Sequence, residues 1–407
     1  MRPCKIICYL VIVLFIAGCA AKIEKAVEKP VEKPKPPLVL IPPENAPSFN
    51  DDLKWESLDA AIGKSIRYYD AVVENITYGL GNDRVSAIDM KESLLILKEI
   101  INSTDSDNMK QEKMKDAFDV YKATGSDNKG SVLFTGYFEP VMEGSLVKTE
   151  IFRYPIYRAP ADTVVVNLGK FRKKYNHEKI VGRVKNGELI PYFSRADIED
   201  AGSLTGKNLE IVWVKDAIDL FFMHIQGSGK IRLLPDGRFM QVSYAQTNGR
   251  PYRSVAKYML ERGKLSNSEI THENVKKYLR EHPDELSNIL NYNESYIFFR
   301  IVDEGPVGAL GLSLTAGRSI ATDLDLFPKG AIAFIRLKTP VFDEKGNIKA
   351  WKDFSRFVLN QDTGGVIKGP GRVDLFCGTG SDTEKLAGSL KEKGELYFLV
   401  RKKGLRK

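Results

Sequence analysis

The chain has 407 residues, 43% of them hydrophobic, and a formal net charge of +8. That apolar content can build one large domain or two, and it excludes a disordered or fibrous chain. The cationic excess points to an anionic partner, either nucleic acid or an anionic polymer or membrane surface.

The first residues are Met1-Arg2-Pro3-Cys4-Lys5, followed by an apolar run from Ile6 to Ala17 and then Gly18-Cys19. Positive charge, a short apolar core and small residues make a secretory signal, since a spanning helix needs about 20 apolar residues. The ending Ile16-Ala17-Gly18-Cys19 resembles a bacterial lipobox, which makes Cys19 the expected lipidated first residue of the mature protein. Ala20, rather than an aspartate, follows it and favours the outer membrane, with the body facing the periplasm. An exported lipoprotein rarely meets nucleic acid, so the anionic polymer or membrane surface is the favoured partner. With Cys4 and Cys8 removed and Cys19 acylated, Cys377 alone remains, and no intramolecular disulfide is expected. Cys377 reads as a small buried hydrophobe.

Residues 20–50 carry the repeated units Val27-Glu28-Lys29-Pro30 and Val31-Glu32-Lys33-Pro34 and few large apolar residues. They read as a spacer. Helical spacing follows: Leu58, Ala61, Ile62, Ser65, Ile66 and Tyr69 behind a capping Ser57, then Ile88 to Ile101, then Met114 to Tyr121. A turn at Gly125–Gly130 opens β character with Leu133–Pro140 and Tyr154–Arg158. From Leu189 to Tyr244 the chain reads as short strands, including Ala217–Ile225, Ile231–Leu234 and Arg238–Tyr244. Ser254–Leu290 is helical again. Ile297–Phe299, Ile332–Ile335, Phe357–Leu359 and Leu396–Val400 are strands. This pattern points to one domain built from two ends of the chain, residues 51–139 and 291–407, with a second β-rich domain, 140–290, inserted in it.

Asn360 to Asp382 holds Asp362, Asp374 and Asp382 among six glycines. Val373-Asp374-Leu375-Phe376 is a strand whose one polar residue is a carboxylate between apolar neighbours. Such surroundings disfavour the charged form, so Asp374 could donate a proton near neutral pH. Aspartates in Gly-rich loops also cap turns, and that reading stays open for Asp362 and Asp374. His224–Lys230 fails as a phosphate loop, because His224 stands where the first glycine belongs and Ile231 follows the lysine. It reads instead as a hairpin turn presenting Gln226 and Ser228, either to hydroxyl-rich ligands or as a plain turn. Asn248-Gly249-Arg250-Pro251-Tyr252 is another polar loop, with an amide and an aromatic face of the kind a sugar groove needs; Tyr252 could equally be core. The four histidines are widely spaced and form no metal motif.

Thr135-Gly136-Tyr137-Phe138-Glu139-Pro140, Tyr154–Arg158, His224–Gly229, Asn248–Tyr252 and the aspartate stretch resemble, in this order, the membrane-bound lytic murein transglycosylase A family. The likeness spans the chain from about Asp51 to Lys407, and the lipobox agrees with it. It implies a mainly β fold with helices: a double-psi β-barrel made from the N- and C-terminal parts, with the inserted domain across a groove. It implies cleavage of the β-1,4 bond between N-acetylmuramic acid and N-acetylglucosamine in peptidoglycan, leaving 1,6-anhydromuramoyl ends, with no cofactor and no metal. Asp374 matches the family's catalytic aspartate and Asp362 a supporting one, while the spacing of Asp382 does not match securely. Thr135, Tyr137, Gln226, Gly227, Ser228, Asn248 and Tyr252 are the expected glycan-binding residues. Peptidoglycan strands and, through the lipid, the outer membrane are the implied partners. A non-catalytic wall-binding lipoprotein and a hydrolase using two carboxylates are the alternatives.

Overall fold

The computed structural model describes residues 36–72, 75–176, 178–267, 269–344 and 346–404. The signal-like segment, Cys19, residues 20–35 of the spacer and His177 lie outside the described residues. Residues 36–50, also expected as spacer, instead pack on the body. Leu38–Leu40 pairs with the strand Phe118–Ala123, and Leu38 and Phe49 are wholly buried in its core, because these two apolar side chains gain more from burial than the prolines around them cost.

The helical spacing near the N-terminus gives α1 (Leu58–Ala71) and α2 (Ala87–Asn102), whose apolar faces enter one core. Ser86 caps α2 by accepting the Asp89 N–H. Ser57, expected to do the same for α1, does not. Its backbone is left-handed (φ 59°), and its hydroxyl donates to the Glu56 carbonyl, so no cap bond forms. The segment read as a third helix over Met114–Tyr121 is divided: a helix ends at Ala117 and a strand runs from Phe118 to Ala123. Aromatic and β-branched residues, Phe118, Val120 and Tyr121, fill the strand half, which is where their preference lies.

Six strands close the barrel: β1 (Val132–Glu139), β2 (Ser319–Ala321), β3 (Ile332–Phe342), β4 (Ile348–Asp362), β5 (Arg372–Thr379) and β6 (Lys391–Arg401). Around the circumference the order is β6, β3, β4, β2, β5, β1, and β1 pairs back onto β6. The contacts β2–β4 and β5–β1 are parallel, and the other four are antiparallel. This is the double-psi arrangement, and one of its strands comes from far earlier in the chain than the other five. Short apolar runs such as Ile332–Ile335 and Leu396–Val400 become strands because they are buried on the barrel side and against α1 and α2.

Between β1 and β2 the chain builds a second, six-stranded sheet. Its order is Ile297–Val302, Phe239–Thr247, Ser228–Leu233, Val141–Ser145, Glu210–Val214, Tyr154–Tyr157. It thus extends to Val302, past residue 290, where the sequence pattern placed the end of the insertion. Residues Ala217–Ile225, expected as strand, belong to a helix, α3 (Ala217–Gln226). Asp216 caps it by accepting the N–H groups of Ile218 and Asp219. Its residues from Leu220 to His224 are all buried, so the run has no polar face from which a helical period could be read. A small antiparallel sheet of Thr163–Asn167, Lys179–Lys185 and Glu188–Pro191 stands apart from these.

The two sheets are tied by charge as well as packing. In α4 (His272–Glu281), Lys276 bridges Asp219 of α3 and Glu384 of α5 (Ser381–Ser389), at 3.0 and 2.8 Å. Burial, the largest effect, pushes Glu384 up, but hydrogen bonds from His272 and Lys276 and their charges outweigh it and hold the carboxyl down at about 2. The N-terminal segment is tied to the barrel by Asp51, whose carboxylate takes both ends of the buried Arg318 guanidinium (2.6 and 2.9 Å) and the Phe357 N–H. Both side chains are wholly buried. Removing one partner would strand the other charge in the core, so Asp51→Ala is expected to cost about 3–5 kcal/mol. A urea denaturation curve measures this directly.

Candidate active site

Strand register brings the two chemically interesting aspartates together. Thr135 of β1 lies opposite Asp374 of β5, Asp374 opposite Ala321 of β2, and Ala321 opposite Asp362 of β4. Residues directly opposite share a face, so Thr135, Asp374, Ala321 and Asp362 form one row across four strands. Two interstrand spacings of about 4.8 Å put the two aspartate backbones roughly 10 Å apart. The β2–β4 pairing shifts between Ile320 and Ala321, so that Asp362, and not Gln361, faces Ala321. A bulge is what re-aims the carboxylate here. The displaced Gln361 is buried and held by the Ala61 carbonyl, the Ser65 hydroxyl and the Ser319 hydroxyl.

The two carboxylates have unlike surroundings. Asp362 accepts from the Tyr137 hydroxyl (2.7 Å), from the Ala309 N–H (3.0 Å) and from the Thr363 backbone. Asp374 accepts one bond, from the Thr135 hydroxyl at 2.6 Å. Burial raises both acids to about 6. For Asp374 the Thr135 bond and the Arg372 charge pull down, while the neighbouring Asp362 charge pushes up. Thr135 and Tyr137, two residues apart on one strand, point to the same face and serve one aspartate each.

Asp382 does not join this row. It lies exposed in the first turn of α5. A third aspartate near the site is Asp323, just past β2, whose carboxylate accepts the Gly369 N–H at 2.9 Å and faces Lys368. It fastens the loop that joins Asp362 to Asp374. Nothing local in Thr322-Asp323-Leu324-Asp325 marks it, because its partner is a backbone group 46 residues away.

Glu139, at the end of β1, is buried and pushed up to about 7 by that burial. It accepts from Thr379 of the barrel (2.9 Å) and from Gln241 of the second sheet, so it stands where the two meet. Cys377 is buried against Phe138 and Ala387, and burial together with the Asp374 charge pushes its thiol up to about 12. A thiol so held is not a nucleophile.

The expected glycan-binding residues are placed unevenly. Gln226 lies at the last turn of α3, not on a hairpin, and its side-chain oxygen accepts the Phe138 N–H at 3.0 Å. Gly227 ends that helix with φ 80°, and the space a side chain would take there is open. Ser228 is buried and bonds Glu139. Asn248 has no exposed surface. Its amide donates to the Phe193 and Glu294 carbonyls, and its oxygen accepts from Arg250 and Tyr296, so all its bonding capacity is spent on the frame. Tyr252 is exposed. His224 is buried beside Arg195, and no cluster of potential metal ligands occurs among the described residues.

Residues 133–300 match the MltA specific insert domain, and residues 318–400 match the 3D domain. Together they span both sheets and both aspartates. The chain belongs to the membrane-bound lytic murein transglycosylase A family. The Escherichia coli K12 protein of that name is 29% identical over 297 residues, covering 72% of each chain. The crystal structure of the membrane-bound lytic murein transglycosylase from Agrobacterium tumefaciens is 27% identical, with a TM-score of 0.73 over 89% of this chain and 97% of its own. The E. coli MltA structure with bound chitohexaose shares the fold at 23% identity, with a TM-score of 0.66 over 90% and 94% of the two chains. Among the described residues of this family member, no helix is long and apolar enough to cross a membrane.

Because the Thr135 bond lowers the pKa of Asp374, its loss should raise it. If Asp374 must be protonated to act, activity falls as pH rises through its pKa. In Thr135→Val the alkaline limb of the kcat/KM profile is therefore expected at higher pH than in the parent. A limb that stays in place would separate Thr135 from the titrating group.

Proposed function

We propose that the chain is a lytic transglycosylase that cuts the β-1,4 bond between N-acetylmuramic acid and N-acetylglucosamine and leaves a 1,6-anhydromuramoyl end, with Asp374 as sole acid and base. The observation that carries this reading is the asymmetry of the two carboxylates. Asp362 already takes three donors, whereas Asp374 takes one and keeps its second oxygen for the substrate.

Protonated Asp374 gives its proton to the glycosidic oxygen as that bond breaks, and positive charge develops at the anomeric carbon. The 6-hydroxyl of the same muramic acid then attacks that carbon, and the Asp374 carboxylate takes the hydroxyl proton. The attack is intramolecular, so orientation replaces an activated water. Asp362, held by Tyr137, Ala309 and Thr363, is a fixed negative charge across the row. When ionised, its charge raises Asp374 and favours the protonated form that starts the reaction, and it stands near the developing cation. A glycan enclosing the row would exclude water and raise both acids further.

Backbones roughly 10 Å apart would also suit a pair of carboxylates flanking a water, as in an inverting hydrolase. The donors on Asp362 speak against that, since both of its oxygens are already engaged by the protein, whereas a base turns an oxygen to its water. For the body's setting we infer an outer-membrane lipoprotein facing the periplasm, from the lipobox at Cys19; the names of its membrane-bound relatives support membrane attachment.

Digestion of purified cell walls tests the reaction. Products are expected at the mass of the anhydro form, lighter by one water than reducing ends. Reducing ends alone would mean a hydrolase, and undiminished turbidity a binding protein. Asp374→Asn should lose activity by about 10²–10⁴-fold or more while still sedimenting with walls. Full activity in that variant would remove Asp374 from the mechanism.

A further inference from the structure

The small antiparallel sheet inside the second domain has no part in the site, and its surface is unusual. Pairing sets Val164 opposite Gly182, Val166 opposite Ile180, Val184 opposite Leu189, and Pro191 opposite Gly182. These residues therefore share one face. The other face carries Val181 against the Gly249 loop and Arg183 stacked on Phe193 at 4.1 Å, so at the middle strand it is turned to the protein, while Val165 on the edge strand stays exposed. On the outward face Val164, Ile180, Val184 and Leu189 are all exposed, Val184 by 62%. In the connection between the first two strands, Phe171 is 75% exposed. A lone exposed valine needs no explanation, but a contiguous aliphatic face with an exposed phenylalanine beside it does.

The charge around this face is one-sided. Lys170, Arg172, Lys173 and Lys174 are exposed beside Phe171, and Lys179 and Lys185 are exposed at positions that alternate with Ile180 and Val184 along the strand. Glu178 is the one acidic residue between 170 and 185, and Glu188 stands across from Lys185. None of these six cations is in an ion pair among the described residues.

We propose that this face docks on an anionic lipid bilayer, with Phe171 and the aliphatic residues entering the headgroup boundary and the lysines and arginine against lipid phosphates. Apolar residues beside cations are the composition of a peripheral membrane surface. Two other occupants fit less well. A second copy of the chain, related by two-fold symmetry, would bring the same cations onto themselves. A hydrated anionic glycan would meet the lysines but give branched aliphatic side chains nothing to bury against. The lipobox at Cys19 would bring the body near such a surface, and this face would fix its orientation there.

Residues 36–407 contain every core cluster described and form one compact unit, so this unlipidated body can be tested without its anchor. Co-sedimentation with vesicles of phosphatidylglycerol and phosphatidylethanolamine is the measurement, with pure phosphatidylcholine vesicles beside it. The body should pellet with the anionic vesicles, and more weakly as salt rises. The double variant Phe171→Ser/Val184→Asp should lose at least about tenfold in affinity. Lys170→Glu/Lys173→Glu should lose a similar factor. Both variants should keep the parent's melting temperature and its activity on soluble glycan fragments. Failure to bind anionic vesicles would overturn the proposal, as would equal binding by the Phe171/Val184 variant. A concentration-dependent dimer abolished by that variant, without vesicle binding, would assign the face to a second copy. Loss of binding to purified walls in both variants, without vesicle binding, would assign it to the glycan.

Discussion

Two acids can share one rim of a barrel, with different jobs, only if something holds them at a fixed separation and gives each its own donors. Here that something is β2, three residues long, with Ala321 at its end. It lies between β4 and β5, parallel to one and antiparallel to the other. Each flanking strand presents one aspartate to Ala321. The bulge at Gln361 makes this row possible, and Gln361 is itself anchored to α1. The N-terminal helices are thus part of the site's support and not an appendage to it.

The second domain reaches the same row from the other side. Gln226 at the end of α3 accepts the N–H of Phe138, the residue after Tyr137, and Gln241 bonds Glu139 one residue further along. Three successive residues of β1 therefore look to the barrel site, the inserted helix and the inserted sheet. The ion network of Lys276, Glu384, Asp219 and His272 fastens the opposite flank. The inserted domain positions β1.

Much of this was legible in the residues. The apolar runs at Ile332–Ile335, Phe357–Leu359 and Leu396–Val400 announced strands, and Asp374 between Val373 and Leu375 announced an acid in apolar company. What was not legible has physical causes. Residues 217–225 hid a helix because both its faces are buried, which erases the period of 3.6. Asn248 looked like a ligand group because a loop amide does; burial and four satisfied bonds turned it into a tie. Asp323 gave no signal, since its significance lies in a backbone N–H of a distant loop. Asp382 gave a false one: proximity in sequence to Asp374 did not survive the turn at Gly378–Gly380, which sends it outward.

The strand β1 carries a consequence for how the protein comes into being. Thr135 and Asp374, bonded at 2.6 Å, are 239 positions apart, and Tyr137 and Asp362 are 225 apart. Contacts so distant along the chain are slow to find, because the entropy of closing a long loop is lost before any contact repays it. Strand β1 has no parallel partner until β5 has emerged from synthesis, and the barrel cannot close without it. The bonds that hold Asp374 and Asp362 are therefore among the last features assembled. A chain that acquires its cutting edge so late remains harmless for as long as it is unfinished, which suits an enzyme directed at the wall of the cell that makes it.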